Sequence, residues 1–368
     1  MRIAIEAQRI FRRSKHGMDF VILEIIRCLQ KTDHKNEYWV FTAPGEDVCL
    51  QDTPNFHIEV LGSGFYPLWE QVLLPRAVKR VKADILHCTS NTAPLFPPVP
   101  LIVTLHDVIC LEKEENGSSK SLYQRMGRIY SRFVVPKIIR KCRKVVTVSK
   151  YEKERIIERL ALEDEKVDVV YNGFGKEFNE SAASDVRDYL LFLGATAPKK
   201  NTKGTLLAYS IYLEKSRKKL PLKIADLSRE HVKAYLDEIG KPEIIDKIEC
   251  TGYVPHDELP ALYGGAEAFL YTSFRESFGI PQLEAMACLT PVVVSDRSAL
   301  PEIAGPGAVY ADPYDAESIA HALLSMEADR QVWQDAVEYG RERIKMFSWE
   351  KSAEKMLAIY ESLKCHLD

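Results

Sequence analysis

The chain has 368 residues, 50 Lys+Arg against 53 Asp+Glu for a net charge of −3, and 46% apolar residues. This is an ordinary globular composition for two to three domains with a large core, and near-neutral charge excludes a dedicated nucleic-acid binder, whose domain pI would exceed about 9. Eight singly scattered cysteines (Cys28, Cys49, Cys88, Cys110, Cys142, Cys250, Cys288, Cys365) with no C-x-x-C pair form neither a disulfide framework nor a zinc ribbon, and read as buried thiols in a reducing compartment.

The opening MRIAIEAQRI is charged at Arg2 and Glu6 and too short in apolar run for a signal peptide. Nowhere does an apolar run of about 18 residues occur, so a cytosolic protein without a membrane span is expected. Short β-type runs follow in order: Ile3–Ile5, Tyr38–Phe41, Ile85–His87, Ile102–Leu105, Val145–Val148 and Val167–Val170, separated by helical or loop material. After the turn Tyr171-Asn172-Gly173 and a polar stretch, 175–188, the pattern restarts with Tyr189–Leu193, Leu222–Ala225, Ile248–Cys250, Ala268–Tyr271 and Pro291–Ser295. Alternation of this kind predicts an α/β protein of two successive doubly wound domains with parallel sheets. In such sheets ligands bind outside the carboxyl ends of the strands. The last segment, Ser348–Leu363, has the apolar spacing of an amphipathic helix that needs a partner.

The most informative segment is Phe274–Ala287, between two strands. Glu276 and Glu284 stand in an E-x7-E spacing, and Gly279 permits close backbone approach to a ligand. Pro281 suits a first helical turn, so the amides of Ser277, Phe278, Gly279 and Ile280 would face an anion at a helix N-terminus. Glu284 could accept hydrogen bonds from a ribose diol. A single such Glu is usually a solvated charge; the whole string suits a sugar nucleotide, with hydroxyls at both ends and phosphate between.

Other strand ends carry candidates of their own. Lys199-Lys200-Asn201 lies just past Tyr189–Leu193, where cations reach a pyrophosphate, although an isolated Lys-Lys is ordinarily a solvated turn. His106-Asp107 follows Leu101–Leu105, a position more often structural than functional. Gly17, in His16-Gly17-Met18, precedes the helix expected over Phe20–Leu29 and offers amides at its N-terminus. Gly17 is not part of a G-x-G-x-x-G, which counts against a dinucleotide enzyme. Tyr253, in Thr251-Gly-Tyr-Val-Pro255, sits on a loop whose backbone could read a nucleobase or simply turn. No D-x-D occurs, so no metal site is expected.

Glu276-Ser-Phe-Gly-Ile-Pro-Gln-Leu-Glu284-Ala-Met-Ala resembles the signature of the retaining glycosyltransferases of family 4, the glycosyl transferases group 1. Further segments matching the family appear in order: Gly17, Thr104-Leu-His-Asp107, Val148-Ser149, Tyr171-Asn-Gly173, Leu193-Gly194 with Pro198-Lys-Lys-Asn201, Thr251-Gly-Tyr-Val-Pro255 and Leu300-Pro-Glu302. The resemblance implies the GT-B fold: an acceptor domain over 1–180, a nucleotide-sugar domain over 181–345, and a last helix, 346–368, packed on the first domain. It implies retaining, metal-independent transfer of a hexose from a nucleoside diphosphate sugar, UDP- or GDP-linked, to a glycan or lipid-linked acceptor. His106, Lys200 and Glu276 are then the catalytic group, while Gly17, Lys199, Tyr253, Ser277, Phe278, Gly279, Ile280 and Glu284 bind the donor. One departure stands out: many members carry an Arg just after the strand's Gly, and this chain has Ala195 and Thr196. That departure hints at a non-catalytic scaffold on the same fold; a nucleotide-sugar epimerase or hydrolase of GT-B fold is a second alternative.

From Lys120 to Lys144 there are nine Lys/Arg and no Asp or Glu, interleaved with apolar residues and interrupted by Pro136. Such a stretch can hold anionic lipid head groups at a membrane surface. Equally, it can be a core helix with a solvated basic face.

Overall fold

The structure, a computed structural model, describes residues 1–13, 15, 17–63, 65–112 and 122–364. The chain divides into two compact units, Met1–Gly173 with Ser348–Asp368, and Phe174–Phe347. Of the residues singled out above, His16, Lys120 and Cys365 lie outside the described residues.

The first unit holds strands β1 (Arg2–Glu6), β2 (Glu37–Thr42), β3 (Phe56–Val60), β4 (Ile85–Cys88), β5 (Leu101–Thr104), β6 (Lys144–Thr147) and β7 (Val167–Val169). They form one sheet in the order β3-β2-β1-β4-β5-β6-β7, and every pairing is parallel. β4 and β5 are buried along their whole length, because parallel sheets with helices on both faces leave no solvent side. This is why they read as continuous apolar runs rather than alternating ones. β3 was invisible to that pattern: as an edge strand it buries only Phe56 fully.

The second unit has strands β8 (Tyr189–Leu193), β9 (Leu222–Ala225), β10 (Ile248–Gly252), β11 (Ala266–Tyr271), β12 (Val292–Ser295) and β13 (Val309–Ala311), in the parallel order β10-β9-β8-β11-β12-β13. Here too an edge strand, the three-residue β13, gives no sequence signal. In each sheet the chain reverses its winding beside the unit's first strand, between β1 and β4 and between β8 and β11. These are the switch points at which doubly wound folds bind ligands.

The polar stretch 175–188 belongs wholly to the second unit. Phe178 explains why: it is buried, with its ring edge-on to Tyr263 at 5.9 Å and to His256 at 5.2 Å. The last helix, Trp349–Lys364, belongs to the first unit, packing on the helix Gly17–Thr32 and burying Trp349, Ala353, Met356, Ile359, Tyr360 and Leu363. Its anchor is polar as well as apolar. The Tyr360 hydroxyl lies 2.7 Å from His87 Nδ1 at the floor of β4, and His87 Nε2 lies 2.7 Å from Thr104 Oγ1. Burial and the neighbouring His106 push the His87 imidazole down to about 3, so it is neutral and its two nitrogens divide the donor and acceptor roles. At the helix start, a Cβ on Gly173 would come within 2.3 Å of Trp349 N; only glycine lets the Asn172-Gly173 turn pass this closely.

Among the described residues no cysteine forms a disulfide, and Cys28, Cys88, Cys142 and Cys288 are buried.

Candidate functional site

At the switch point of the second unit two loops are laced together. β8 runs out through Gly194 to a tight turn, Pro198–Lys200, before the helix Thr202–Lys215. Asn201 caps that turn at φ 55°, a left-handed conformation that Asn tolerates well. Its buried side-chain amide donates to Thr272 O at 3.1 Å and Pro313 O at 2.7 Å, pinning the loop to the end of β11. In return Phe274 N donates to Lys199 O at 2.8 Å. The result places the two lysines that follow β8 beside the glutamate that follows β11.

Lys200 Nζ lies 2.7 Å from Glu276 Oε1 and Lys199 Nζ 3.9 Å from Oε2. Glu276 is buried, not the solvated loop charge that a lone Glu suggests. Burial alone would raise its pKa, but the two ammonium groups outweigh it and hold the carboxyl below its ordinary value. The ammonium of Lys200 takes up at most one lone pair of Oε1, so that oxygen retains acceptor capacity. Ser298 Oγ accepts the Glu276 amide at 3.0 Å, and Ala299 N donates to its carbonyl at 3.3 Å, fixing the backbone from a third loop. A carboxylate held ionised beside two cations can accept from sugar hydroxyls while the cations meet phosphate.

Gly279 ends this loop at φ +94°, where a Cβ would meet Leu300 Cδ2 at 2.7 Å and Tyr271 Cε1 at 3.0 Å. It caps the helix Ile280–Ala287, with Pro281 in the first turn. The first amides of a helix have no partner inside it, so Gly279 and Ile280 stand at a helix N-terminus at the sheet's carboxyl end, with Ser277 and Phe278 in the loop just before it. Phe278 offers only its backbone there. Its ring is buried, edge-on to Phe347 at 5.8 Å.

Glu284 is buried one turn into the same helix, accepting from Tyr263 OH at 3.1 Å. Burial raises its pKa to about 7, against the opposing pull of His256 and the Tyr263 bond. It is therefore a carboxyl that exchanges its proton near neutrality, a property the spacing does not announce.

Tyr253 is exposed, on a turn where Gly252 has φ +68°. Sequence reasoning passed over Asp226, which follows β9 at φ 64° with its amide on Gly252 O at 2.8 Å. Burial raises its pKa, while the Val254 amide and the Lys200 charge lower it, so it lies within electrostatic reach of the cluster. The signal was available: a charged residue directly after an apolar strand.

In the first unit, His106 is buried at the end of β5. Its Nε2 donates to Thr89 O at 3.1 Å and its amide to Asn91 Oδ1 at 2.7 Å. Burial lowers its pKa, partly offset by the Thr89 bond and by Asp107 and Asp19. Asp19 lies in the first turn of the helix that begins at Gly17, so that N-terminus and His106 converge. The cavity lined by His106, His87, Thr89 and Asn172 measures about 20 Å³, room for one water and not for a sugar ring.

Two buried glutamates at this unit's switch point were not anticipated. Glu6 accepts the amides of Gln8 at 2.9 Å and Thr89 at 3.0 Å, joining the ends of β1 and β4. Glu70 sits in a π-helical turn, Trp69–Leu73, a feature frequent at functional sites. It accepts from Tyr66 OH at 2.7 Å, Gln71 Nε2 at 2.8 Å, Thr92 and Tyr130. Burial raises its pKa despite those donors.

Comparison with known proteins places this geometry. Residues 174–343 match the family "Glycosyl transferases group 1" and residues 16–177 match "Glycosyltransferase Family 4". O-antigen chain mannosyltransferase B of Escherichia coli is 38% identical over 179 residues, 48% of this chain and 46% of that protein, so the match spans under half of that relative's length. O-antigen chain mannosyltransferase RfbU of Salmonella typhimurium is 31% identical over 263 residues, 71% of this chain and 69% of that one. Among solved structures, Anabaena HepE in complex with UDP superposes with a TM-score of 0.74 at 17% identity, covering 99% of this chain and 100% of its own. Sucrose-phosphate synthase of Thermosynechococcus elongatus gives 0.72 at 17% identity, covering 99% of each chain. The two parallel α/β units are those of the GT-B fold class, and the chain belongs to the family 4, group 1 glycosyltransferases.

Proposed function

We propose that the protein is a retaining hexosyltransferase that takes its sugar from a nucleoside diphosphate donor and passes it to a hydroxyl of a glycan or lipid-linked acceptor. The observation that carries this reading is the Lys199–Lys200–Glu276 cluster at the switch point between β8 and β11. The two lysines neutralise the diphosphate as the bond from the anomeric carbon to the phosphate oxygen breaks, its electron pair leaving with the phosphate. The acceptor oxygen bonds to that carbon on the same face, and its proton passes to the leaving phosphate. Stabilising the charge that develops on a leaving group is commonly the largest single contribution an enzyme makes. In this role the lysines supply the positive charge that other transferases draw from a metal.

Glu276 holds the sugar hydroxyls, the amides of 277–280 face the phosphate, and Glu284 takes the ribose. Asp226 and the backbone near Tyr253 border the base. Glu6 and Glu70, buried and held by internal donors, brace the loops at the first unit's switch point. The names of the two relatives, both mannosyltransferases, favour mannose over glucose as the transferred sugar.

The test is product analysis with GDP-mannose and UDP-glucose, each with and without an oligosaccharide acceptor. Transfer that requires acceptor, with the anomeric configuration kept by NMR, supports the reading. Release or epimerisation of the sugar without acceptor as the main reaction would overturn it.

A further inference from the structure

The helix Leu122–Lys141 has two apolar faces, and only one of them is used by the core. Val134, Val135, Ile138 and Ile139 are buried in the first unit. On the other side Met126, Ile129 and Phe133, spaced i, i+3, i+7, are 59%, 68% and 55% exposed. Phe96, on the loop beside the helix's last turn, is 82% exposed. These positions therefore do not serve to pack the domain, unlike Val134, Val135, Ile138 and Ile139.

Cations border the apolar stripe. Lys137 Nζ stands 3.1 Å from the centre of the Phe133 ring. Lys141 Nζ lies 4.7 Å from the Phe96 ring and donates to Leu95 O at 3.0 Å, which joins the loop and the helix into one surface. Alongside runs a groove of about 380 Å³ lined, among the described residues, by Leu111, Pro136, Ile139 and the guanidinium-bearing Arg132, Arg140 and Arg159, with no carboxylate among those described residues. Arg132 donates to Cys110 O at 2.9 Å and Arg159 to Leu111 O at 2.6 Å. Those bonds hold the guanidinium groups in place without neutralising them. Among the described residues none of Arg132, Lys137, Arg140 and Lys141 pairs with a carboxylate.

We propose that this face docks on an anionic lipid bilayer, with Met126, Ile129, Phe133 and Phe96 entering the boundary between head groups and acyl chains and the Arg132–Arg140–Arg159 groove taking lipid phosphate. Charge decides among occupants. A second copy would bring the same basic surface against itself, whereas a bilayer supplies apolar depth and negative charge together. The chain as a whole is slightly acidic at −3, so the attraction is local to this face and orients the molecule. Lysines beside the aromatic rings can keep their ammonium groups at the phosphate level while their stems cover the rings. The inference holds whichever sugar the enzyme transfers, since it uses no residue of the donor cluster.

The experiment is co-sedimentation of the full chain with vesicles of phosphatidylcholine alone and with about 30% phosphatidylglycerol, at low and high salt. Wild type should pellet with the anionic vesicles and remain in solution with neutral ones. The double variants Ile129→Ser/Phe133→Ser and Lys137→Gln/Lys141→Gln change exposed side chains only, and should each weaken binding by roughly tenfold or more with an unchanged melting temperature. Raising salt should weaken wild type further than the lysine variant. Failure of wild type to bind anionic vesicles, or binding that neither variant reduces, would overturn the proposal. So would sedimentation equilibrium showing a dimer that Ile129→Ser/Phe133→Ser dissociates, because the face would then be occupied by a second copy.

Discussion

Lys200 and Glu276, which follow different strands of one sheet, meet at 2.7 Å because Asn201 ties the first loop to the end of β11. Removing one partner of a buried ion pair leaves the other charge uncompensated. Lys200→Ala should therefore lower stability by roughly 3 kcal/mol, at the low end of that class because Lys199 remains. It should also cut kcat by about 10²-fold or more. In the double variant Lys200→Ala/Glu276→Gln stability should return while activity stays lost; chemical denaturation beside a transfer assay reads both. Equal loss of stability in the single and double variants would mean the pair is not the source.

Glu284 and Glu276 give opposite pH dependences. Glu284, raised from 4.5 to about 7, stabilises fully below its unfolded value, and that contribution is lost as pH climbs toward and through 7. The fall amounts to about 3 kcal/mol. Glu276, held below 4.5, adds stability that is present above 4.5 and is lost as pH falls below it. Glu284→Gln should flatten the stability profile between about pH 5 and 8 and leave the acid limb in place. An unchanged slope in that window, by urea denaturation at several pH values, would show that Glu284 does not titrate there.

Gly279→Ala places a Cβ 2.7 Å from Leu300 Cδ2 at a backbone φ of +94°. The strain should cost about 1–3 kcal/mol and move the first amides of Ile280–Ala287. Nucleotide affinity should drop along with thermal stability; a variant as stable and as tightly binding as wild type would contradict the close-approach role.

Tyr360→Phe deletes the hydroxyl that partners His87 and leaves a buried ring nitrogen unsatisfied. A loss of about 1–2 kcal/mol is expected, and Trp349→Ala should cost more, about 3–5 kcal/mol, by opening a cavity at the helix start. Both would be measured by denaturant titration, and a change below about 0.5 kcal/mol in Tyr360→Phe would remove the polar anchor from the account.

What the sequence disclosed follows from where each signal is encoded. The buried parallel strands and the run from Glu276 to Glu284 were legible, because one rests on continuous apolar runs and the other on local spacing. The edge strands β3 and β13 were not, because His57 and Glu59 break the apolar run of β3 and β13 is three residues long, whereas the edge strands β7 and β10 were read from their apolar residues. Glu6 and Glu70 were missed because their partners, Thr89 and Tyr130, are remote in the chain. Spacing located Glu284 but could say nothing of its proton affinity, which burial beside Tyr263 sets. Likewise the apolar pattern of Leu122–Lys141 was visible, while the exposure of Ile129 and Phe133 depends on which face the core takes.

The central claim is that the lysine–glutamate cluster binds a nucleoside diphosphate sugar, and thermal unfolding with UDP, GDP, ADP and their common sugars tests it most directly. A ligand at a hundred times its dissociation constant adds about 2.7 kcal/mol to the folded state. The account predicts that one nucleotide and its sugar raise the melting temperature of wild type, and that Lys200→Ala/Glu276→Gln, folded and stable, loses most of the shift. No shift with any nucleotide at millimolar concentration, or an equal shift in the double variant, would contradict it.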